Sequence, residues 1–105
     1  MVIRLTSDVA AALRDHAPVV ALESSVIAHG LPSPANREAA DRMTLAVRAG
    51  GAVPAFTAVV RGVAAAGLEP EELERLLRRD GVRKLSARDV PVALAQGAGD
   101  IDARP

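Results

Sequence analysis

An apolar run with one carboxylate inside it constrains the fold of this chain more than any other stretch. The run covers residues 18–32, PVVALESSVIAHGLP, and Glu23 lies near its centre. A run this hydrophobic predicts a strand over residues 19–23 that is buried on both faces, where an ionised carboxylate is costly unless a partner pairs with it. Because Gly30 and Pro32 then break the regular backbone, the pattern predicts a buried strand that delivers polar groups to the mouth of a site.

Two roles are open to Glu23. It can be a structural carboxylate at a strand end, held by nearby backbone amides, or a catalytic acid; residue types alone favour the structural role, since structural networks also perturb carboxylates. Ser24 and Ser25 follow directly. Hydrogen bonding to Glu23 or to a ligand oxygen suits them better than a nucleophilic role, because no Ser-His-Asp arrangement can be argued from the sequence. His29 could orient Glu23 or bind substrate, although a loop histidine with local hydrogen bonds is the simpler interpretation.

Composition excludes several classes of function. With 105 residues the chain forms one domain at most, and Phe56 is its one aromatic residue, so there is no stacking platform for single-stranded nucleic acid. Thirteen basic and thirteen acidic residues cancel, which leaves no net field for nucleic acid or an anionic membrane. The chain has no cysteine and two histidines, so a cysteine or histidine metal site is not expected.

The same composition favours a cytoplasmic protein without a membrane partner. No apolar run approaches the ~20 residues that span a bilayer. The first residues, MVIRLTSD, lack the basic and apolar regions of a secretory signal.

Alternating helical and strand patterns predict an α/β fold. Helices are predicted over residues 8–15, 37–49 and 68–79, with a last helix from Ser86 or Asp89 to Ala95; strands are predicted over residues 19–23, 52–60, 63–67 and 82–86. Ser7 and Asn36 are the predicted N-caps of the first two helices. The charges of helix 68–79 predict i, i+4 pairs on a solvated face, and Leu73, Leu76 and Leu77 a buried stripe. From Gln96 onward the periodicity disappears, which predicts a frayed tail.

Lys84 is the second residue of chemical interest, because it is the one lysine beside twelve arginines. Its retention by chance is the simple alternative. A lysine ammonium differs from a guanidinium in that its pKa moves readily on burial. Lys84 and Glu23 each lie near the end of a predicted strand, where ligand crevices form in open α/β sheets. A carboxylate and an ammonium that meet there would suit proton transfer beside an anionic substrate.

Residues 20–32, VALESSVIAHGLP, resemble the N-terminal signature of the pseudouridine-5′-phosphate glycosidases, also called the indigoidine synthase A-like family. Three further blocks match in the same order: GAVPA at residues 51–55, Gly67-Leu68 followed by Glu71-Glu72-Leu73, and VRKLSARDVP at residues 82–91. The resemblance covers residues 8–97. It implies the N-terminal part of a layered α/β/α fold with a mixed central sheet, incomplete in this chain, with the family domain over 1–97 and a divergent tail over 98–105.

The resemblance also implies an activity, the reversible cleavage of the C–C glycosidic bond of pseudouridine 5′-phosphate to uracil and ribose 5-phosphate. Glu23 matches the proton donor and Lys84 a substrate-contacting lysine, with Ser24, Ser25 and His29 in support. A carboxylic acid kept protonated by burial could protonate the departing uracil carbon. The implied metal is Mn²⁺, and the implied assembly is a homo-oligomer, a trimer.

This chain departs from the family in length and in two site residues. Family members are about three times as long, and their metal aspartate and Schiff-base lysine lie beyond the point where this sequence stops. The one lysine matches the substrate position, so no residue here matches the nucleophile or the metal ligand. The sequence diverges after Gly97, which suggests a truncated or frameshifted product that is inactive alone and prone to self-associate. The alternative function is a non-catalytic ligand-binding or subunit-interaction remnant.

Overall fold

The described part of the chain is a mixed sheet with three α-helices. The computed structural model describes residues 2–79, 82–84 and 101–103. The strands are β1 (Ile3–Leu5), β2 (Val19–Leu22), β3 (Val53–Val60), β4 (Val63–Ala66), β5 (Val82–Lys84) and β6 (Ile101–Ala103). The helices are α1 (Ser7–Arg14), α2 (Ala35–Ala49) and α3 (Pro70–Arg78), and a short π-helical segment, the π turn, covers Val26–Gly30. The predicted α/β class is therefore confirmed.

Strand β3 is the centre of the sheet. One of its edges carries β4, which runs antiparallel, as the sequence predicted; the amide of Gly67 extends this edge by donating to the carbonyl of Phe56 at 2.9 Å. The opposite edge is shared by β2, which runs parallel along residues 53–56, and β6, which runs antiparallel along residues 58–60. Strand β1 pairs with β4, and β5 pairs with β6. The carboxyl ends of β2 and β6 therefore meet beside the middle of β3.

Small aliphatic side chains fill the core. The buried cluster includes Phe56 as its one aromatic member and otherwise consists of Ile27, Ala28, Ala40, Ala58, Val60, Ala65, Leu76 and Leu77. The cluster joins β3 and β4 to the π turn, α2 and α3. The buried stripe predicted for α3 is confirmed, because Leu76 and Leu77 are buried and Leu73 packs against the cluster from a partly buried position.

The prediction that strand β2 is buried on both faces is wrong for this chain. Val20 is 39% exposed and Ala21 is also exposed, whereas β3 is buried along most of its length. The physical reason is the number of neighbours: among the described residues β2 pairs with β3 alone, and its other edge is open. A strand that is buried on both faces needs an apolar sequence. The strand also needs a second neighbouring element that covers it.

The first two helices begin one or two residues earlier than the sequence predicted. Thr6, not Ser7, precedes α1, and its hydroxyl donates to Asp8 at 2.7 Å. Helix α2 begins at Ala35, so Asn36 lies inside the helix and not at its cap. Asn36 is only 1% exposed. The side-chain amide of Asn36 donates hydrogen bonds to carbonyl groups of two other segments. Local sequence does not reveal such a tertiary role.

The charges of α3 form ion pairs with other elements. Arg4 on β1 donates to both carboxylate oxygens of Glu72, at 2.7 and 2.5 Å, and Arg37 on α2 donates to both oxygens of Glu74, at 2.8 and 2.6 Å. The side chain of Glu74 is exposed, as the predicted solvated face requires, but it hydrogen-bonds to Arg37 of the neighbouring helix, whereas Arg78 of its own helix acts on it through its charge. Glu72 also accepts from the amide of Glu69, which completes a capping box at the start of α3.

Gly67 links β4 to α3 at a point of close approach. Its φ of 98° lies in the region that favours glycine, and a Cβ atom at this position would lie 2.3 Å from the hydroxyl oxygen of Thr6. The chain therefore passes directly over the start of α1, and both the backbone conformation and the space require glycine.

The C-terminal residues are described only in part. Strand β5 covers residues 82–84 of the predicted strand 82–86, and the predicted last helix, from Ser86 or Asp89 to Ala95, lies outside the described residues. The prediction of a frayed tail is wrong at residues 101–103, which form β6 between β3 and β5. Whether so short a segment forms a strand depends on the strand edges available for pairing and not on its own periodicity.

Candidate active site

Glu23 lies directly after the last residue of β2 and is exposed. Its Oε1 atom accepts a hydrogen bond from the hydroxyl of Ser25 at 2.9 Å. The prediction of a buried carboxylate is thus wrong for this chain, for the same reason that β2 is exposed. The predicted bond between a neighbouring serine and Glu23 is present, and it leaves Oε2 as the carboxylate oxygen that faces no described side-chain donor.

Two reciprocal hydrogen bonds join the site segment to β3. The hydroxyl of Ser24, which is fully buried, donates to the carbonyl of Thr57 at 2.6 Å. The hydroxyl of Thr57 in turn donates to the carbonyl of Leu22 at 3.2 Å. Glu23 is therefore held between two residues that are both tied to the same position of β3, although its own side chain projects into an exposed position.

The π turn follows these residues and carries His29 at its exposed surface. His29 was predicted at the exit of a strand; the structure places it in this turn, because the strand ends at Leu22. Buried Ile27 and Ala28 attach the turn to the core. The structure records no contact between His29 and Glu23 among the described residues, so the orienting role of His29 stays a prediction.

Two side chains from helices hold the π turn. The amide Nδ2 of Asn36 donates to the carbonyl of Ile27 at 3.1 Å and to the carbonyl of Leu77 at 2.8 Å. Arg79, at the end of α3, donates from Nε to the carbonyl of Ala28 and from Nη2 to the carbonyl of Leu31. The segment behind Glu23 is thus fixed by α2, whose Asn36 is 9 residues from Ile27 in the chain, and by Arg79 at the end of α3, which is 51 residues from Ala28.

Lys84 is brought to the same part of the sheet by strand register. It lies opposite Ala103 of β6, which lies opposite Ala58 of β3, and Leu22 lies opposite Phe56 on the same edge of β3. Since neighbouring strands are about 4.8 Å apart, the backbones of Glu23 and Lys84 fall within roughly 10 Å of each other. The predicted meeting of these two residues at strand ends is therefore supported by the backbone.

The described residues do not supply a site for a divalent metal ion. They contain no group of three or more histidine, aspartate or glutamate side chains close enough to ligate one ion. Manganese is held by oxygen and imidazole ligands, so the donor set here does not fit it.

Sequence reasoning missed Asn36 and Arg79 as site residues. An asparagine before a helical pattern indicates a cap, and an arginine at the end of a charged helix indicates a solvated face. Both signals were local, whereas the carbonyl groups that these side chains bind lie in another segment. Neither residue carries a sequence signal for this role.

The fold and these residues define an α/β protein with polar side chains past the carboxyl end of a strand, which is the position where ligand crevices form in open α/β sheets. The chain belongs to the indigoidine synthase A like protein family, whose family model matches residues 8–101. The resemblance stated from the sequence is therefore confirmed.

Curated and solved relatives agree with this membership. A pseudouridine-5′-phosphate glycosidase from Gemmatimonas aurantiaca is 60% identical over 95 residues, which are 90% of this chain and 31% of that protein. The prealnumycin C-glycosynthase AlnA, solved in complex with ribulose 5-phosphate, matches with a TM-score of 0.82 and 36% identity over 100% of this chain and 33% of its own. An indigoidine synthase A-like protein of Thermotoga maritima matches with a TM-score of 0.78 and 28% identity over 97% of this chain and 32% of its own.

The chain thus spans about a third of the length of the relatives that it matches. The predicted fold, a part of the larger layered fold of this family, is confirmed by the two solved structures. None of the helices in the part of the chain that the structure describes is long and apolar enough to cross a membrane.

Proposed function

We propose that this chain carries the proton-donor portion of a pseudouridine-5′-phosphate glycosidase site. One observation carries the proposal: Glu23 directly follows β2, Lys84 ends β5 on the same side of β3, and the chain is 60% identical over 95 residues to a protein of that name. The solved relative with ribulose 5-phosphate supports a sugar phosphate as the ligand class.

The chemistry assigned to Glu23 is proton delivery. When the bond between the uracil carbon and C1′ of the ribose breaks, the electron pair stays on uracil and the leaving carbon must gain a proton. Ser25 occupies Oε1 of Glu23, so Oε2 is the oxygen that delivers it. The ammonium of Lys84 offsets the charge of the substrate phosphate. C1′ also needs an attacking group, and the one lysine of this sequence is already assigned to the substrate.

The chain alone is therefore expected to bind a sugar phosphate without turning over pseudouridine 5′-phosphate. Purified chain is incubated with pseudouridine 5′-phosphate and Mn²⁺ and followed for free uracil, and ribose 5-phosphate binding is followed by calorimetry. Glycosidase activity in the intact chain predicts uracil release that Glu23→Gln abolishes. The alternative, a non-catalytic ligand-binding or subunit-interaction remnant, likewise predicts no turnover and ribose 5-phosphate binding that Lys84→Ala weakens, so a longer protein is needed to separate it from the proposal.

A fusion separates the role of Glu23 from the length of the chain. Residues 1–97 of this chain are joined to the part of the Gemmatimonas aurantiaca relative that follows the matched region. We expect the fusion to release uracil and Glu23→Gln to lower kcat at least about 100-fold, the size of a general-acid contribution. Glu38→Gln, an exposed glutamate in the first turn of α2, is the matched control. Turnover that persists after loss of Glu23 contradicts the assignment.

Manganese dependence, a trimeric assembly and a cytoplasmic location belong to the same proposal. They are predictions for the complete fold. Metal titration of the fusion and its mass in solution test the first two.

A further inference from the structure

Arg79 occupies a backbone conformation that a helix end normally gives to glycine. Its φ of 60° and ψ of 32° are left-handed, and it is the residue that follows α3. In this conformation a Cβ atom crowds the following carbonyl group, so a residue with a side chain is destabilised relative to glycine. A strained residue of this kind persists where its side chain does something that glycine cannot do.

The side chain of Arg79 bridges two carbonyl groups of the site segment. Nε donates to the carbonyl of Ala28 inside the π turn and Nη2 to the carbonyl of Leu31 just after it. The guanidinium is planar and presents several donors in a fixed fork, which a lysine ammonium cannot reproduce. The bridge therefore depends on arginine in both its shape and its charge.

These bonds are connected to Glu23 through the backbone. The amide of Ala28 donates to the carbonyl of Ser24 at 3.0 Å, and the hydroxyl of Ser24 donates to Thr57 of β3 at 2.6 Å. Arg79 thus holds the far end of the same turn whose near end is fixed to β3. Glu23 lies immediately before that near end, on an exposed edge where it has no core packing of its own.

We propose that Arg79 is a positioning residue for Glu23, held in a strained conformation at the end of α3 so that its guanidinium fixes the π turn behind the proton donor. This inference rests on the proposed function only for the role of Glu23. The arrangement of Arg79, the π turn and Ser24 stands independently of it.

The test compares Arg79→Gly with Arg61→Gly in the intact chain. Arg61 also has a left-handed φ, 49°, and lies in the turn between β3 and β4, so both substitutions relieve the same backbone strain. In Arg79→Gly we expect the urea midpoint of unfolding to stay the same or rise, while hydrogen exchange at the amide of Ala28 accelerates at least about tenfold through local opening. In Arg61→Gly exchange at Ala28 is unchanged. Arg79→Lys, which keeps the strain and the charge, accelerates the same amide.

A ligand measurement then links the turn to the site. Ribose 5-phosphate is expected to bind Arg79→Gly at least about fivefold more weakly than the unaltered chain and to bind Arg61→Gly equally well. Unchanged exchange at Ala28 in Arg79→Gly overturns the inference, as does a uniform acceleration of all amides together with a lower urea midpoint. If the unaltered chain does not bind ribose 5-phosphate, the proposed function fails, and exchange at Ala28 still decides the role of Arg79.

Discussion

Strands β2 and β3 have similar apolar sequences and opposite environments. VVAL of β2 pairs in parallel with the first half of β3, yet β2 is half exposed while Ala55, Phe56, Ala58, Val59 and Val60 of β3 are buried. The difference is the number of neighbours, since β3 is paired on both edges and β2 on one among the described residues. The hydrophobicity of a strand therefore indicates the buried environment to which its sequence is suited. The neighbouring strands that are present decide whether the strand is buried.

The strongest test of this comparison is the same substitution in both strands. Val59→Asp places a charge at a fully buried position and is expected to lower the free energy of unfolding by more than about 4 kcal/mol, so that no folded protein is recovered. Val20→Asp, at a position 39% exposed, is expected to cost less than about 1 kcal/mol. Circular dichroism shows whether either variant is folded, and urea denaturation measures the unfolding free energy of any variant that is. Equal losses of stability in the two variants would show that β2 is covered.

A second prediction concerns the buried amide that ties the π turn to the helices. Asn36→Asp keeps the size of the side chain but removes the donor that serves the carbonyls of Ile27 and Leu77. Because two buried acceptors lose their partner beside a new charge, we expect a loss of about 3 kcal/mol in unfolding free energy. Asn36→Ala, which adds no charge, should lose about 2 kcal/mol. Urea midpoints equal to that of the unaltered chain would contradict the assignment.

A third prediction compares the two serines that follow β2, of which Ser24 bonds to the core strand β3 and Ser25 to Glu23 of the candidate site. Ser24→Ala removes a buried hydrogen bond to β3 and is expected to cost about 1 kcal/mol. Ser25→Ala removes a hydrogen bond to the exposed Glu23. It should lower the unfolding free energy less than Ser24→Ala does, but it should weaken ribose 5-phosphate binding more than Ser24→Ala does. The reverse order of the two stability losses would place Ser25, and not Ser24, in the contact with the core.

The smallest expected effect is a dependence on pH at the far edge of the sheet. Burial raises the pKa of Glu72, but the hydrogen bonds from the Arg4 guanidinium oppose it and leave the pKa below its usual value. Because the folded-state pKa is lowered, the pair stabilises the fold above the unfolded value of about 4.3, and this stabilisation is lost as the pH falls through the folded value. Arg4→Met should therefore reduce the loss of stability on acidification, by less than about 1 kcal/mol since the pair is partly solvated. Thermal unfolding at a series of pH values measures it.

Arg37→Met is the control for that prediction. Its partner Glu74 also has a lowered pKa, through the hydrogen bond from Arg37, but the pair is exposed. A smaller change than in Arg4→Met is expected. A larger one would mean that the ion pair between α2 and α3 stabilises the fold more than the pair that joins β1 to α3.

The sequence allowed most of the central elements to be predicted, because their signals are local. The helical pattern of α3, the proline near the start of β3 and the return of the chain at Arg61-Gly62 each depend on neighbours within a few residues. β1 was missed because three residues carry too little pattern, and β6 was missed because its pairing depends on edges that residues far away provide.

The positions of the candidate site residues in the fold were predicted better than their environment, and their roles stay predictions. Glu23 and Lys84 lie at strand ends on the same side of β3, with β6 between β3 and the strand that carries Lys84, and a hydrogen bond from a neighbouring serine to Glu23 was expected. Exposure of Glu23 could not be predicted, because burial of a strand end depends on a neighbouring element that the sequence of the strand does not encode. Asn36 and Arg79 could not be predicted because their partners are carbonyl groups, which every residue has.

Gly67 shows why part of a family signature can be steric. The pair Gly67-Leu68 is one of the blocks that first indicated the family, although neither residue offers any chemistry. With its positive φ and its closeness to Thr6, Gly67 is the point where the link into α3 crosses the beginning of α1. A relative that carried a side chain at this position would need a displaced first helix. The residue at this position therefore indicates, in any sequence of the family, how the N-terminal segment packs against the link into α3. This indication does not depend on substrate or catalysis.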